Sequence, residues 1–378
     1  MRIIHIIVGL NVGGAELMLK RLVNSHANQS EFEHSVISLT EIGEIGSELK
    51  SEGVKVTALG MASAFGVLRA FLAIRNELNI SRPDIVQTWM YHADLLGGLA
   101  AYSVGIRHVI WGIRTTEIKA GGSSLTRLIR RMCGVLSRWI PMKIVCAANA
   151  AKEVHERVGY SPYKMLVIPN GFAIERLVAT PEQINMLRKH AGITPAHRVI
   201  GSIGRFNPVK DQHNFVKAAG ILTKQHSNLR FLMIGRGLDR YNTQLVKWIE
   251  ETGQADKFVL FGERSDIPVC LAVMDVFCMH SRTEGFPNVL GEAMAMAKPC
   301  VATDVGDASL LVGNAGVLVP PGSPSALADG IEKLLSFSEV QLEEIGFSAQ
   351  QKIYNNYTID IARKRYESLY RELVDASE

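Results

Sequence analysis

Two glutamates eight positions apart, Glu284 and Glu292, lie in the part of this sequence where reactive residue types are most concentrated. The apolar run 276–279 before them is typical of a buried strand, and the Ala- and Met-rich stretch after them predicts a helix that ends by Pro299. Pro287 fits the first turn of that helix, because its missing N–H would have no partner there. Glu284 is therefore predicted in the strand-to-helix loop and Glu292 in the second helical turn.

The start of this helix is a candidate anion-binding site. Gly285 allows a ligand to approach the backbone, and the first-turn amides of the stretch from Phe286 to Leu290 point toward the helix N-terminus. Carboxylates on both sides could hold a polar ligand that carries phosphate. Taken alone, the pattern fits equally a capped helix with two solvated glutamates.

Further charged loops follow the other strands predicted in this half of the chain. Arg205 and Lys210 place two cations five positions apart after the strand 199–203, and Arg264 lies in a loop after the strand 258–261. The carboxyl ends of parallel strands meet at one edge of a sheet, so these loops are expected to lie near Glu284. Cations, amides and two carboxylates together suit a nucleoside diphosphate that bears hydroxyl groups, although each loop alone also fits a structural role.

The order of apolar runs and helix-period segments predicts two parallel sheets covered on both faces. In the first half, strands are predicted at 3–8, 35–39, 54–59, 85–88, 108–112 and 144–147, and helices at 15–24, 65–78, 93–103, 125–140 and 150–158. In the second half, strands are predicted at 199–203, 231–234, 258–261, 276–279, 300–302 and 317–319, after a helix at 183–191 and before helical sequence at 341–374 with a break at 355–358. This pattern indicates an α/β fold of two Rossmann-like halves joined near 170–181, with the ligand in a cleft between them.

A glycine-rich turn follows the first predicted strand, with Gly13 and Gly14 directly before a helix. It is not the G-x-G-x-x-G fingerprint of dinucleotide binding. Glycines permit close backbone approach and a helix N-terminus favours an anion, so the turn is a candidate phosphate contact. Tight turns of this kind also use glycine for packing alone, and both interpretations stay open.

Composition limits the class of protein. With 378 residues, 47% of them apolar and 21% charged, the chain suits a soluble protein of two domains. No run of eighteen apolar residues is present, and the apolar start fits a first strand better than a signal peptide because Asn11, Glu16 and Lys20 interrupt it. The five cysteines show no metal-ligand spacing and are predicted to be buried thiols of a protein in the reducing cytoplasm.

The segment from Leu95 to Lys152 is strongly basic. Its single acid is Glu117, and its bases are Arg107, Arg114, Lys119, Arg127, Arg130, Arg131, Arg138, Lys143 and Lys152. Such a surface attracts phosphate or acidic lipid headgroups, whereas nothing in the chain resembles a nucleic-acid-binding module. The helix at 125–140 could lie on an anionic membrane. Alternatively, its apolar residues Leu128, Met132, Val135, Leu136 and Trp139 pack on the sheet and its basic face is solvated.

These motifs, in this order and spacing, resemble the retaining glycosyltransferases of family 4 (group 1) of the surface-polysaccharide type, which have the GT-B fold. The matching stretches are Gly13-Gly14-Ala15-Glu16, Pro169-Asn170-Gly171, Gly204-Arg205-Phe206 with Lys210, the run from Gly262 to Pro268, Glu284-Gly285-Phe286-Pro287-Asn288-Val289 with Glu292, and the run from Pro299 to Gly306. The resemblance implies two Rossmann-like domains that face each other across a cleft. Residues 1–172, joined by the C-terminal helix 357–378, would bind the acceptor, and residues 173–356 would bind the nucleotide-sugar donor.

The resemblance also implies roles for individual residues. Arg205 and Lys210 would neutralise the diphosphate of the donor and stabilise the leaving nucleotide, and with Glu284 they are the candidate catalytic residues. Glu284 would bind hydroxyls of the donor sugar, Glu292 would hold the ribose and the loop at Arg264 would hold the base. The implied donor-binding residues are Gly13, Gly14, Arg205, Lys210, Arg264, Glu284, Gly285, Phe286, Pro287, Asn288, Val289 and Glu292.

Two features concern the acceptor and the cofactor. Many relatives place a catalytic histidine after a strand of the first domain, and Arg114 aligns there in this chain, which makes it the acceptor-side candidate. No Asp-x-Asp motif occurs, so no carboxylate pair is predicted to hold a metal on the diphosphate. The cations and the helix terminus can supply that charge instead, and no cofactor or metal is expected. Retention of the anomeric configuration is implied by the resemblance alone.

The predicted function is metal-independent, retaining transfer of a hexose or N-acetylhexosamine from a nucleotide diphosphate donor, expected to be UDP-linked, to a glycan acceptor. The basic first half favours an acceptor on a polyprenyl diphosphate or another lipid, with a cytoplasmic enzyme in peripheral contact with the inner face of the membrane. The alternatives are a transferase for a small soluble acceptor, a non-catalytic scaffold subunit, and a nicotinamide oxidoreductase. The missing G-x-G-x-x-G motif disfavours the last of these.

Overall fold

The computed structural model describes residues 1–27, 29–62, 64–116 and 124–375. The chain divides into two compact units. One comprises Met1–Gly171 and the C-terminal segment that begins at Ile359, and the other comprises Phe172–Thr358. Glu117 and Lys119 of the basic segment lie outside the described residues.

The first unit is built on a parallel sheet of seven strands in the order β3-β2-β1-β4-β5-β6-β7. Its strands are β1 (Arg2–Ile7), β2 (Glu33–Ser38), β3 (Lys55–Ala58), β4 (Ile85–Trp89), β5 (Val109–Ile113), β6 (Lys143–Cys146) and β7 (Met165–Val167). Its helices include α1 (Gly14–Ser25), α2 (Gly43–Ser51), α3 (Ala64–Ser81), α4 (Tyr91–Ser103), α5 (Ser124–Leu136) and α6 (Asn149–Arg157). Every residue of β4 and β5 is buried, as a parallel sheet covered on both faces requires.

The second unit contains a parallel sheet of six strands in the order β10-β9-β8-β11-β12-β13. Its strands are β8 (Arg198–Ile203), β9 (Leu229–Ile234), β10 (Phe258–Gly262), β11 (Val276–Met279), β12 (Cys300–Thr303) and β13 (Val317–Val319). Its helices are α7 (Pro181–His190), α8 (Gln212–Leu222), α9 (Thr243–Glu250), α10 (Ile267–Val273), α11 (Asn288–Ala295), α12 (Ala308–Val312), α13 (Pro324–Leu335) and α14 (Glu339–Asn356). The strand order reverses between β8 and β11, so the chain leaves these two neighbours toward opposite sides of the sheet.

The last helix, α15 (Ile359–Asp375), belongs to the first unit. It packs against α1, and its Tyr366 and Tyr370 side chains are fully buried. The Tyr370 hydroxyl donates to Gln87 Oε1 at 2.5 Å, and Arg371 forms a two-pronged ion pair with Glu31. The helix α15 is therefore an integral part of the core of the first unit.

The predicted α/β fold of two Rossmann-like domains is confirmed, with differences in detail. The helix α2 and the strand β7 were not predicted, because α2 has few apolar residues and two glycines, and β7 is a three-residue edge strand beside a turn signal. Pro287 occupies the N-cap of α11 rather than its first turn, with φ −80° and ψ 89°. The helix predicted at 125–140 ends as α5 at Leu136.

A row of side chains crosses the first sheet from its centre to the helix α15. The Trp89 indole N–H donates to His5 Nδ1 at 3.2 Å, and His5 Nε2 lies 2.9 Å from His34 Nδ1. His34 Nε2 lies 3.0 Å from His26 Nδ1, whose Nε2 is 3.3 Å from Glu367 Oε1. An indole only donates, so His5 and His34 in turn accept at Nδ1 and donate at Nε2, and His26 accepts at Nδ1. The row ends with the contact between His26 and the Glu367 carboxylate.

All five cysteines are buried, as predicted. Burial raises the pKa of each thiol, which keeps these side chains protonated and unreactive. Within the described part of the chain, no helix is both long and apolar enough to cross a membrane.

Candidate active site

The carboxyl ends of β8 and β11 lie side by side where the strand order of the second sheet reverses, which is the usual ligand site of such sheets. The loop after β8 carries Lys210, and the loop after β11 carries Glu284. Lys210 Nζ donates to Glu284 Oε1 at 2.6 Å. Both side chains are largely buried, with 27% and 14% of their surface exposed. The structure thus joins two predicted site residues that are 74 positions apart in the sequence.

A neighbouring hydroxyl orients the Glu284 carboxylate. Ser281 Oγ donates to the same Oε1 atom at 2.6 Å, and the backbone carbonyl of Ser281 accepts from Thr303 Oγ1 at 2.7 Å. The carboxylate is therefore held by a cation and a hydroxyl, and the backbone of the serine that carries this hydroxyl is bonded to the end of β12. Such a fixed carboxylate can bind sugar hydroxyls, and the ammonium beside it can bind phosphate.

The two loops are also connected through Arg282. Its backbone N–H donates to the Val209 carbonyl at 2.8 Å, and its guanidinium binds both carboxylate oxygens of Asp211 at 2.8 and 3.1 Å. Asp211 has a positive φ of 53°, which is uncommon for a residue other than glycine, and this ion pair stabilises that strained turn. Sequence reasoning missed Ser281, Arg282 and Asp211 as supporting residues, because their roles depend on the adjacency of β8 and β11.

At the start of α11, the positions of Glu284 before the helix and of Glu292 within it agree with the prediction, whereas Pro287 is the N-cap. Glu292 lies in the second turn of this helix and is buried. The backbone of Glu284 and Gly285 packs so tightly against Gly306 that a Cβ there would lie 2.4 Å from the Gly285 carbonyl oxygen. Phe286 is buried next to Phe172, with ring centroids 6.0 Å apart. The loop that carries Glu284 is therefore fixed on both sides.

Arg205 and Arg264, the two other predicted cations of the site, do not join the Lys210–Glu284 pair. Arg205 lies in the loop after β8 with an exposed side chain, and its backbone carbonyl accepts from Gln212 Nε2 at 2.9 Å. Arg264 makes two hydrogen bonds to the Asp266 carboxylate, at 2.8 and 2.6 Å, and its guanidinium lies 5.3 Å from the centre of the Phe261 ring. Arg264 is thus held within its own loop, and the base-binding role of that loop stays a prediction.

In the first unit, Arg114 follows β5 and is tightly held. Its guanidinium donates to Asn170 Oδ1 at 3.0 Å and to the Tyr366 hydroxyl, and it lies 4.4 Å from the centre of the Trp89 ring. Gly13 is the N-cap of α1, and Gly14 is the first residue of the helix rather than the last residue before it. The contacts predicted for these residues with acceptor and donor stay predictions.

No group of three or more histidines, cysteines, aspartates or glutamates in the described ranges is arranged to hold a metal ion. Among the described residues of the site, the ion pairs include Lys210–Glu284 and Arg282–Asp211.

Comparison with known proteins agrees with this geometry. Residues 12–176 match the family model "Glycosyltransferase Family 4", and residues 197–336 match "Glycosyl transferases group 1". The chain is 22% identical over 312 residues to the UDP-Gal:alpha-D-GlcNAc-diphosphoundecaprenol alpha-1,3-galactosyltransferase of Escherichia coli, covering 81% of this chain and 80% of that protein. It is 26% identical over 332 residues to the capsular polysaccharide biosynthesis glycosyltransferase CapM of Staphylococcus aureus, covering 83% of each.

Among solved structures, Anabaena Alr3699/HepE in complex with UDP and glucose is similar, with a TM-score of 0.86 and 21% identity. The match covers 98% of this chain and 100% of that chain. The likeness extends over both units and shows that the two proteins share a fold.

Proposed function

This chain belongs to the glycosyltransferases of family 4, and we propose that it transfers a hexose or N-acetylhexosamine from a UDP-sugar to a glycan acceptor carried on a lipid diphosphate. The observation that carries this proposal is the Lys210–Glu284 pair at the reversal point of the second sheet, with 2.6 Å between Nζ and Oε1. The E. coli relative named for a diphosphoundecaprenol acceptor and the S. aureus relative named for capsular polysaccharide support the acceptor class.

Each charged side chain has a defined task in the proposed reaction. The bond between the anomeric carbon and the diphosphate oxygen breaks, and its electron pair leaves with UDP. The Lys210 ammonium, assisted by Arg205, stabilises the negative charge that develops on that oxygen. Glu284 holds hydroxyls of the donor sugar while the acceptor oxygen bonds to the anomeric carbon and passes its proton to the departing diphosphate oxygen. The Glu292 carboxylate accepts from the ribose.

The proposed transfer proceeds without a metal ion and with retention of the anomeric configuration. The ammonium of Lys210 and the N-terminus of α11 are the positive groups that replace a metal at the diphosphate. Retention is proposed from membership of the family.

The test is a screen of UDP-hexoses and UDP-N-acetylhexosamines with synthetic polyprenyl-diphosphate glycans, with and without EDTA. We expect one donor to give a product whose new linkage has the donor's anomeric configuration by NMR, at a rate that EDTA does not change. An inverted linkage contradicts retention, and activity that EDTA abolishes contradicts the metal-free step. Turnover with soluble acceptors alone contradicts the lipid-linked acceptor.

We further propose that α5 binds the protein to an anionic membrane surface. Ile129 and Cys133 are the buried residues by which this helix packs on the first unit. Four other apolar side chains of α5 and Trp139, which lies in the turn after the helix, are exposed by 42 to 62%; the four are Leu125, Leu128, Met132 and Val135. The prediction that such residues pack on the sheet is wrong for Leu128, Met132, Val135 and Trp139, because Ile129 and Cys133 occupy that position.

Charge complementarity supports an anionic bilayer as the occupant of this face. Arg127, Arg131 and Arg138 are exposed beside the apolar stripe. A helix with an apolar stripe bordered by arginines lies stably at the interface of a bilayer that contains acidic lipids. Binding through this face would keep the proposed enzyme at the membrane that holds its lipid-linked acceptor.

A further inference from the structure

His280 directly follows β11 and lies between the two loops that carry Lys210 and Glu284. The side chain is buried, with 3% of its surface exposed, and its ring stacks on Phe215 with 5.0 Å between centroids. Both ring nitrogens have partners. Nδ1 lies 2.5 Å from the backbone carbonyl oxygen of Lys210, and Nε2 lies 2.6 Å from Ser202 Oγ.

These partners determine the protonation of the ring. A carbonyl oxygen only accepts hydrogen bonds, so Nδ1 must carry the hydrogen, and Nε2 accepts the Ser202 hydroxyl hydrogen. Burial, assisted by the nearby Lys210 ammonium, lowers the pKa of His280 to about 4, although its hydrogen bond to the Lys210 carbonyl and the Asp211 carboxylate act in the opposite direction. At neutral pH the ring is therefore neutral and in one tautomer.

We propose that His280 is a positioning residue of the donor site, whose neutral imidazole holds the main chain of Lys210 so that its ammonium meets Glu284. The inference rests on the proposed function and extends it to a residue that acts through the Lys210 backbone. Ser281, the next residue, holds the Glu284 carboxylate at 2.6 Å. Two consecutive residues thus fix the two partners of one ion pair, His280 through the Lys210 backbone and Ser281 through the Glu284 side chain.

The geometry gives a reason for histidine at this position. Its Nδ1–H reaches the Lys210 carbonyl, which lies in the turn that precedes α8. The next residue of this turn is Asp211, which has a positive φ. Without that donor, the carbonyl would be left in a buried site without its hydrogen bond, and the turn could relax. A shift of about 1 Å at a group that acts on the reacting atoms can reduce a rate about 100-fold.

The test compares two substitutions. His280→Leu removes both hydrogen bonds at similar volume, whereas the amide of His280→Asn can still donate from a position close to Nδ1. With the best UDP-sugar, we expect His280→Leu to lower kcat by roughly 10- to 100-fold and to change KM by less than about threefold, because the loss concerns charge stabilisation in the transition state. We expect His280→Asn to recover most of that loss.

His155 offers a matched control in the first unit. It is also buried, with Nδ1 2.6 Å from the Ala151 carbonyl oxygen and Nε2 2.7 Å from the Tyr91 hydroxyl. His155→Leu should destabilise the fold similarly but leave kcat within about twofold of wild type, since it does not touch the Lys210 turn. An equal loss of kcat in His155→Leu would show a general effect of destabilisation and overturn the positioning role. The positioning role would also be overturned if the kcat of His280→Asn were as low as that of His280→Leu.

A second measurement does not depend on activity. Long-range ¹H–¹⁵N NMR of the imidazoles should show His280 as the Nδ1–H tautomer at pH 7, and an Nε2–H tautomer would overturn the assignment. Wild-type protein that is inactive with every UDP-sugar would contradict the proposed function. Active wild-type protein with an unimpaired His280→Leu variant would contradict the positioning role alone.

Discussion

Lys210 is the residue on which the proposed chemistry depends most directly. Its ammonium is fixed by Glu284 before any ligand arrives, so little rearrangement is needed when charge develops on the leaving diphosphate. Lys210→Ala should lower kcat by about 100- to 1,000-fold while the affinity for UDP falls much less. Steady-state kinetics with calorimetric UDP titration would measure both effects.

Lys217 provides the control for this substitution. It lies on α8, the helix that follows the same loop, and its side chain is exposed. Lys217→Ala should therefore have wild-type kinetics. If Lys210→Ala lost UDP affinity as strongly as it lost kcat, the lysine would serve ground-state binding, and its assignment to the leaving group would be wrong.

Glu292 is proposed to bind the ribose, and this role predicts a different phenotype. A buried carboxylate that accepts hydroxyl hydrogen bonds contributes about 1.5 to 3 kcal/mol, so Glu292→Ala should weaken UDP binding by roughly 10- to 100-fold. Glu344→Ala, an exposed change on α14, should leave the affinity unchanged. Isothermal titration with UDP measures both, and an unaltered affinity of the Glu292 variant would refute the ribose contact.

For single residues, the sequence predicts which side chains belong to the site better than it predicts their contacts. Lys210 and Glu284 could be chosen because each follows a strand that carries an apolar run, yet their meeting requires β8 and β11 to be neighbours. His280 could not be recognised, since one histidine after a strand has no periodicity or spacing to mark it. Arg264 was predicted as a ligand contact, and its ion pair with Asp266 is visible only in three dimensions.

Among the elements, α5 leads to a prediction about membranes. Trp139→Ala should weaken binding to vesicles of mixed anionic and zwitterionic lipid, because it removes the largest exposed apolar side chain of the stripe. Arg131→Ala should weaken it about fivefold, as expected for the loss of about 1 kcal/mol of attraction to acidic lipid. Sedimentation with vesicles provides the measurement.

Tyr241→Ala is the control, since this aromatic residue is 76% exposed in the second unit, away from α5 in the sequence. It should bind vesicles as the wild type does. Binding that is equally strong for purely zwitterionic vesicles, or that is unaffected by Trp139→Ala, would rule out α5 as an anionic-lipid contact.

The row of histidines leads to a prediction about acid stability. Burial lowers the pKa of His5, His26 and His34, that of His34 to about 3, whereas the unfolded chain takes up a proton near pH 6.5. Stability is thus fully present above pH 6.5 and is lost as the pH falls, by up to about 1.4 kcal/mol per pH unit for each such group. Denaturant unfolding between pH 7.5 and 4.5 should show this decline.

A variant and a control assign the decline to the row. His34→Gln should lose less stability per pH unit than the wild type, because one depressed pKa is removed. Val178→Ala should keep the wild-type pH dependence, because this side chain is 70% exposed and carries no titratable group. Parallel curves for wild type and His34→Gln would mean that His34 does not contribute.

The elements themselves follow closely from sequence periodicity. Parallel strands buried on both faces give continuous apolar runs, so twelve of them could be predicted within a few residues. The strand β7 could not, because a three-residue edge strand has too short a run to be distinguished from a turn. For α5 the periodicity correctly predicts a helix. It does not indicate which of the two apolar stripes of this helix faces the rest of the protein.

For the whole molecule, alternation of strands and helices suffices to predict two Rossmann-like units, because it repeats after a turn-rich segment near 170–181. The periodicity of the sequence does not predict the order of the strands within each sheet. In the second unit that order reverses between β8 and β11, which brings the Lys210 and Glu284 loops together. The site therefore arises from topology as much as from the residues that compose it.

We propose that this chain binds a UDP-sugar without a metal ion. Calorimetric titration of the purified protein with UDP, GDP and NAD, each with and without EDTA, is a direct test of this binding. We expect UDP to bind with a micromolar dissociation constant that EDTA does not change, and NAD not to bind. A preference for GDP would retain the transferase and change the donor. If NAD bound tightly and UDP did not, or if none of the three ligands bound, the proposed binding of a UDP-sugar would be contradicted.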